Sequence, residues 1–307
     1  MILLCGVPSE RALRRVREEL EQLAAEVVIF NQRLVQDVEI QLEITGGHVG
    51  GLLRIERRSF RLEEFTGVYT RVMDDQRLPE LDGLPTSSPA RQHSRRVHAL
   101  LAQWCEVTPA RVVNRARPQG SNFSKPYQSQ LVRAQGFAIP ETLVTNDPDL
   151  VRAFLAQHGR VIYKSISGVR SIVRQLTEPD LSRLEQIRWC PVQFQAYVPG
   201  IDVRVHVVGG ETFATAVESD ATDYRYGLRD ALDVATLGEV ELSDELAARC
   251  VGLAAALGLP FAGIDLRLGP AGEVTCFEVN PSPAYDYYES GSGVPIARAL
   301  ARHLLGG

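Results

Sequence analysis

Lysine is nearly absent from this chain. Of its 33 basic side chains only Lys125 and Lys164 are lysine, and the rest are arginine. Such a skew reflects a GC-rich coding bias that replaces lysine wherever arginine will serve. A lysine that survives it marks a place where a compact point charge cannot be exchanged for a planar fork. The alternative is two chance survivors on the surface. Other things are missing too. A net charge of −5 leaves no basic excess for nucleic acid. The five cysteines (Cys5, Cys105, Cys190, Cys250 and Cys276) are odd in number and widely spaced, with no CxxC pair. That fits free thiols in a reducing cytosol. No run approaches the ~20 apolar residues of a membrane helix. The opening Ile2-Leu3-Leu4-Cys5-Gly6 has no basic flank, which argues against a signal peptide. The expectation is a soluble, cytoplasmic protein. There is no GxxxxGK[ST] phosphate loop. Gly6-Val7-Pro8-Ser9, after the first apolar run, lacks GxGxxG, which disfavours a dinucleotide-binding oxidoreductase.

What is present is ordinary globular composition, 45% hydrophobic and 23% charged over 307 residues, enough for two or three lobes. Residues 2–6 read as a buried strand. Ser9 then reads as a helix N-cap before Leu13, Val16, Leu20 and Leu23, and 27–30 as a second strand, so the chain opens as α/β. Residues 38–44 and 52–55 form a hairpin around Thr45-Gly46-Gly47-His48, 68–70 a strand, 90–105 a helix and 111–114 a strand end. The stretch Arg117 to Asn122 is linker-like. Helices follow at 125–136, capped by Gly136, and 148–158, closed by Gly159. A strand at 161–164 leads through a Ser/Gly turn at 165–171 into a strand at 172–173. Strands are expected at 192–198, 203–208 and 212–217, then a loop at 219–238, a helix at 243–257, a hairpin at 262–279 and a helix at 294–305. The domains are drawn at 1–118, 119–190 and 191–307.

Chemistry concentrates near the C-terminus. Gly263-Ile264-Asp265 and Glu278-Val279-Asn280-Pro281 lie on two strands joined by the turn 269–272. Alternation puts Glu278 and Asn280 on one face, and in an antiparallel hairpin Asp265 can lie opposite. Two carboxylates and an amide oxygen are a hard ligand set suited to Mg²⁺ and not to zinc. The alternative is a solvated face, which the apolar neighbours Ile264 and Phe277 oppose. Lys164 ends an apolar strand before the Ser165–Gly168 turn, where an ammonium and backbone N–H groups can meet phosphate. A snorkelling strand-end lysine is the alternative. Gln193-Phe194-Gln195-Ala196-Tyr197-Val198-Pro199-Gly200 can pass along an adenine, offering backbone groups and an aromatic or aliphatic wall. Asp202 can accept ribose hydroxyls, and Arg204 on the same face can reach a phosphate. Taken alone, those two are equally a surface ion pair. His206 is a candidate base, though a core histidine is the better reading. Arg71 is placed at the cleft from the N-terminal side. The loop 283–293, with Tyr285, Tyr287 and Tyr288, either shapes an acceptor pocket or packs on the last helix.

The order of these parts resembles the ATP-grasp ligases: Lys125, Lys164 with its turn, Gln195–Val198, Gly200-x-Asp202-x-Arg204, Asp223-Tyr224-Arg225, Gly263-x-Asp265 and Glu278-x-Asn280-Pro281. The pattern is similar to the RimK-like carboxylate–amine ligases. Ser124-Lys125-Pro126 through Ile162-Tyr163-Lys164 also looks like the microviridin-type peptide-maturing ligases. The likeness covers about residues 110–305. It implies an α/β (α+β) ATP-grasp fold: an N-terminal α/β domain, a small central lid and a C-terminal domain, with ATP between the last two. Lys125, Lys164, Ser165 and Gly168 would hold phosphates, Gln195, Ala196, Tyr197 and Val198 adenine, and Asp202 ribose. Arg204 and Arg225 would serve the γ-phosphate and an acyl phosphate. Asp265, Glu278 and Asn280 would hold one or two Mg²⁺ ions, with Mn²⁺ as a substitute. The implied reaction is ADP-forming amide synthesis from small-molecule or peptide carboxylates and amines. Ester or amide crosslinking of a ribosomal peptide is the alternative, and a non-catalytic nucleotide-binding module a third. A homodimer is left as an option, with no nucleic acid or membrane partner. Two departures stand out. Ala196 replaces the acidic residue many relatives carry, and Arg225-Tyr226-Gly227 lacks the family's Arg-x-Asn amide.

Overall fold

The computed structural model describes residues 1–166, 173–218 and 236–307. The expectations for Ser167 to Ile172, including Gly168, and for residues 219–235, including Arg225, lie outside the described residues.

The first run of apolar residues becomes β1 (Ile2–Gly6), buried along its whole length because both its faces are covered. It pairs in parallel with β2 (Val27–Asn31) on one side and β6 (Gly67–Thr70) on the other, and β6 pairs in parallel with β7 (Arg111–Val113). Helix α1 (Arg11–Gln22) buries Ala12, Leu13, Val16 and Leu20 as a single stripe. Its N-cap is Glu10, not Ser9, and makes no side-chain cap bond. A turn closing from the Glu10 N–H to the Val7 carbonyl starts the helix one residue later, and the Glu10 carboxylate goes to Arg71 instead. The other face of this sheet is covered by α2 (Pro89–Val107) and by a small antiparallel sheet of β3 (Val38–Thr45), β4 (His48–Ile55) and β5 (Arg58–Arg61).

The lid sheet runs β10-β9-β11-β8, all antiparallel: β8 (Thr142–Thr145), β9 (Val161–Ser165), β10 (Arg174–Gln175) and β11 (Val192–Ala196). Of the strand expected at 172–173, Ile172 lies outside the described residues and Val173 is not in a strand, and β10 occupies Arg174–Gln175. Leu176, buried in the lid core and bonded through its N–H to the Val161 carbonyl, sets that register. The strand expected to reach 198 stops at Ala196, before Pro199 and the left-handed Gly200 (φ 136°). A division at 190 therefore cuts β11 from the sheet it pairs in; a boundary at the Pro199–Gly200 turn keeps the sheet whole. Helix α3 (Lys125–Ala134) belongs with the lid in sequence, yet Val132 packs in the core of the C-terminal sheet.

That C-terminal sheet has the order β14-β13-β12-β15-β16. Its strands are β12 (Ile201–Val208), β13 (Glu211–Glu218), β14 (Thr236–Glu239), β15 (Phe261–Leu268) and β16 (Val274–Asn280). The loop expected through 238 is thus a strand from Thr236, paired with β13. Helix α4 (Pro148–His158) packs the lid. Helix α5 (Asp244–Ala256) covers the odd-numbered face of β12, where Val203, Val205 and Val207 are buried. Residues read as a loop at 283–293 contain helix α6 (Asp286–Ser292). Tyr285 there is fully buried and donates to the Ala12 carbonyl at 2.6 Å, so it packs the domains together. Helix α7 (Ile296–Leu305) joins α1 and β1 in one core with Phe261 and Val208.

One amide locks the first domain to the last. Asn114, buried just past β7, donates to the carbonyls of Phe261 (2.6 Å) and Pro281 (2.5 Å) and accepts from the Phe261 N–H (3.1 Å). It thereby holds the start of β15 and the residue after β16 in one grip. Asn114→Ala strands those backbone groups without water, and each costs about 1–3 kcal/mol. Urea unfolding of the variant is expected to show a lower midpoint with an unchanged slope.

Candidate active site

Even-numbered residues of β12 point away from α5, and antiparallel pairing lines up their neighbours in rows. Asp202 faces Arg267; Arg204 faces Asp265, which faces Glu278; His206 faces Gly263, which faces Asn280. A bulge between Asp265 and Leu266 leaves Phe277 as the extra residue of β16. Phe277 and Glu278 therefore both reach this cleft face: Phe277 beside Arg267, Glu278 beside Asp265.

Two carboxylates in register repel each other unless cations stand by. Arg204 Nη1 meets Asp265 Oδ1 at 2.5 Å, and Lys125 Nζ meets Glu278 Oε2 at 2.9 Å and Asn122 Oδ1 at 3.0 Å. Lys125 comes from the N-terminus of α3, whose next turn is fastened to the same strand. There Gln128 donates to the Val279 carbonyl (2.8 Å) and accepts from its N–H (3.0 Å). Arg204 has room for its guanidinium because residue 263 is glycine. A Cβ there would run into that guanidinium and stand 2.7 Å from the Pro283 Cβ. Asn280 Oδ1 accepts the Ser282 N–H at 3.0 Å. Among the described residues no three His, Cys, Asp or Glu side chains gather as a metal group. The expected set, however, has two carboxylates and an amide.

The lid presents the facing wall. Tyr163 and Phe194 point into the lid core, so Ile162, Lys164, Gln193 and Gln195 face the other way. Gln193 sits directly across from Lys164, and Gln195 donates to Thr142 Oγ1 at 3.0 Å. Gln193 Oε1 is buried without a hydrogen-bond partner among the described residues. A cavity of about 270 Å³ lies between Thr142, Val144 and Gln193 on the lid and Lys125, Ser129 and Gln130 on α3. The hinge is held by arginine. Arg267 forms a fork onto Asp202 (2.9 and 2.7 Å) and donates to the Val198 carbonyl (2.8 Å). Arg160 lies 3.5 Å over the Tyr197 ring.

The structure thus pairs Lys125 with Glu278 and Arg204 with Asp265 on adjacent strands, with Asn280 in the adjoining row. Lys164, Gln195 and the hinge lie on the lid side. Ser165 ends β9 as an exposed residue, and Ala196 and Tyr197 follow Gln195 at the edge of the lid sheet. Asp202 is paired with Arg267, so both of its oxygens already accept. Sequence reading missed Arg267 and Asn114, and took Gln193 only as the start of the run along the base. Arg267 could have been found, since it lies two residues past Asp265 on the same face. His206 is fully buried, stacked near Phe261 and edge-on to Tyr288, as a core residue would be.

With this geometry in hand, a family model for the RimK-like ATP-grasp domain matches residues 124–304. The chain belongs to the RimK-like ATP-grasp family. Among solved members of the ATP-grasp fold, the ligase PsnB complexed with a phosphomimetic variant of its minimal precursor, Mg and ADP has a TM-score of 0.80. It is 28% identical, over 99% of this chain and 97% of that one. The macrocyclase MdnC from Microcystis aeruginosa MRC, bound with precursor peptide MdnA, has a TM-score of 0.81 at 23% identity over 100% of both chains. That likeness shows the fold alone. A probable alpha-L-glutamate ligase of Xanthomonas oryzae pv. oryzae is 30% identical over 186 residues, 57% of this chain and 62% of the relative. The ATP-grasp chain thus spans less than two thirds of that relative's length. No helix among the described residues is long and apolar enough to cross a membrane.

Two outcomes test the packing beneath this face. Gly263→Ala overpacks the Arg204 pocket and is expected to cost roughly 1–3 kcal/mol in urea unfolding. Burial, and then the Arg204 charge, hold the His206 pKa well below its ordinary value. The folded imidazole is neutral, while the unfolded one takes a proton near ~6.5. The unfolded chain then binds more protons, so stability is full above about pH 6.5 and falls as pH drops below it. Burial of His98 acts in the same direction. The urea midpoint is expected to be lower at pH 5.5 than at pH 7.5, and less so in His206→Gln.

Proposed function

We propose that this chain is an ADP-forming ligase that joins a carboxylate to an amine, with Mg·ATP between the lid and the C-terminal sheet. The observation that carries the reading is the pairing of Asp265 and Glu278, adjacent in register, with Arg204 and Lys125. A hard-oxygen donor set beside the buried Arg204 and the partly buried Lys125 suits a divalent ion together with phosphate. The ion would supply charge neutralisation on the phosphates, held by Asp265, Glu278 and Asn280. Lys125 and Arg204 would exchange their carboxylate partners for phosphate oxygens. Lys164 would reach the phosphates from the lid, beside Ser165 and, outside the described residues, Gly168. Gln195 and the Ala196–Val198 hinge would line the base, and Asp202, fixed by Arg267, would accept from ribose. Arg225 would complete the cationic wall.

In this reading a carboxylate oxygen attacks the γ-phosphorus and ADP leaves. The amine then attacks the acyl carbon of the acyl phosphate and inorganic phosphate leaves, giving the amide. The protein's part is positioning and electrostatics. Likeness to PsnB over nearly the whole of both chains favours a peptide as the carboxylate substrate, with a free amino acid as the other form. The remaining expectations belong to the same reading: Mn²⁺ in place of Mg²⁺, a reducing cytosolic setting for the five free cysteines, no nucleic-acid partner, and a homodimer.

Lys164→Ala, Asp265→Ala and Glu278→Ala are each expected to lower Mg²⁺-dependent ADP release by about a hundredfold or more. Circular dichroism should remain that of the parent. Near-parental turnover in any of the three would remove that residue from the site.

A further inference from the structure

A second cavity, of about 450 Å³, lies in the N-terminal domain. It sits at the carboxyl ends of the parallel strands. Glu10 follows β1, Thr70 and Arg71 close β6 and Asn114 follows β7. Open parallel sheets bind ligands at that edge. One part of its rim comes from another domain: Ser282, whose N–H holds the Asn280 side chain. The cavity therefore adjoins the proposed metal strand, although the nucleotide would lie on the lid side of that strand.

Its charges are already spent on one another. Arg71 Nε and Nη2 both lie 2.6 Å from Glu10 Oε1, and Nη1 donates to the Pro283 carbonyl at 3.2 Å and contacts Tyr69 Oη at 3.5 Å. Burial keeps the His98 imidazole neutral. Val72, Met73, Leu101 and Ala102 supply an apolar wall. Among the described residues Arg71 and Glu10 compensate each other, so a charged group entering the space meets no unpaired countercharge, while the buried His98 Nε2, without a hydrogen-bond partner there, is left for a neutral polar atom. An uncharged side chain loses little and buries its carbons.

We infer that this cavity receives an uncharged, largely apolar side chain of the amine-bearing substrate. The assignment rests on the ligase reading, because the carboxylate substrate must meet the γ-phosphate among cations and leaves this neutral space to its partner. A free glutamate would bring a carboxylate to a guanidinium that Glu10 has neutralised.

The test is ligand-observed saturation-transfer NMR with two probes, N-acetyl-leucinamide and the α-amide of N-acetyl-glutamate, on the full chain. The leucine probe is expected to bind at least about tenfold more tightly than the glutamate probe. Ala102→Trp, which fills the space from α2, should abolish leucine-probe binding while leaving Mg·ATP binding intact. Glu10→Gln, which frees the Arg71 fork, should raise glutamate-probe binding by about tenfold, and it decides the matter should the tryptophan variant not fold. Tighter binding of the glutamate probe to the parent, no binding of either probe, or leucine-probe binding unaltered in Ala102→Trp would overturn the inference. Loss of the ligase reading has a separate sign, namely a parent chain that does not bind Mg·ATP.

Discussion

Like charges held side by side on paired strands must be offset, and the cleft face of the five-stranded sheet is organised around that requirement. Asp265 and Glu278 are register partners, so their carboxylates leave the sheet side by side. Arg204 answers one from the neighbouring strand, and Lys125 answers the other from a helix that precedes the lid. Each cation is placed by something further out. Gln128 pins the Lys125 helix to β16, and Gly263 leaves space for the Arg204 fork. The geometry of the site is thus a consequence of strand register, with helix and glycine as its supports. Low dielectric around partly buried groups strengthens these pairings, though desolvation offsets much of the gain.

The second support is mechanical. The domains meet around β15 and β16, where polar ties are added to the hydrophobic core that α1 and β1 share with Phe261, Val208 and the last helix. Asn114 reaches both strands from the first domain, Arg71 grips the carbonyl of Pro283, and Tyr285 returns the favour by donating to the carbonyl of Ala12. Arg267 does the same for the hinge, tying Val198 to the sheet. Such polar ties in buried surroundings contribute more to uniqueness of arrangement than to net stability.

Much of this was legible in the chain because local rules and tertiary structure agree. The buried β1, the stripe on α1, the Gly136 and Gly159 helix ends and the two-strand acid motif all follow from period and turn chemistry. Two lysines in an arginine-rich chain pointed to Lys125, which does meet Glu278. What was not legible depended on long-range partners. Ser9 has the right side chain for a cap, but Glu10 is drawn to Arg71 sixty-one residues away, and the helix starts there. Asn114 looks like any strand-end amide until the strands it bonds, 147 and 167 residues later in the chain, are folded beside it. The helix Asp286–Ser292 was hidden by its glycine and serines, whose low propensity is overridden by the burial of Tyr288.

The bulge at Phe277 has a consequence for how this hairpin can vary. It resets side-chain parity, so that Cys276 packs inward while Phe277 and Glu278 both look outward. Lengthening the chain at the Gly269–Gly272 tip changes neither strand's phase and leaves the acids in place. Dropping Phe277, the one residue between Cys276 and Glu278, would remove the bulge and restore plain alternation with Glu278 still opposite Asp265, at the loss of the ring beside Arg267. The hairpin can therefore change length at its tip or at the bulge without moving the acids, whereas a one-residue change between Glu278 and Asn280 would turn one of those two side chains off the cleft face.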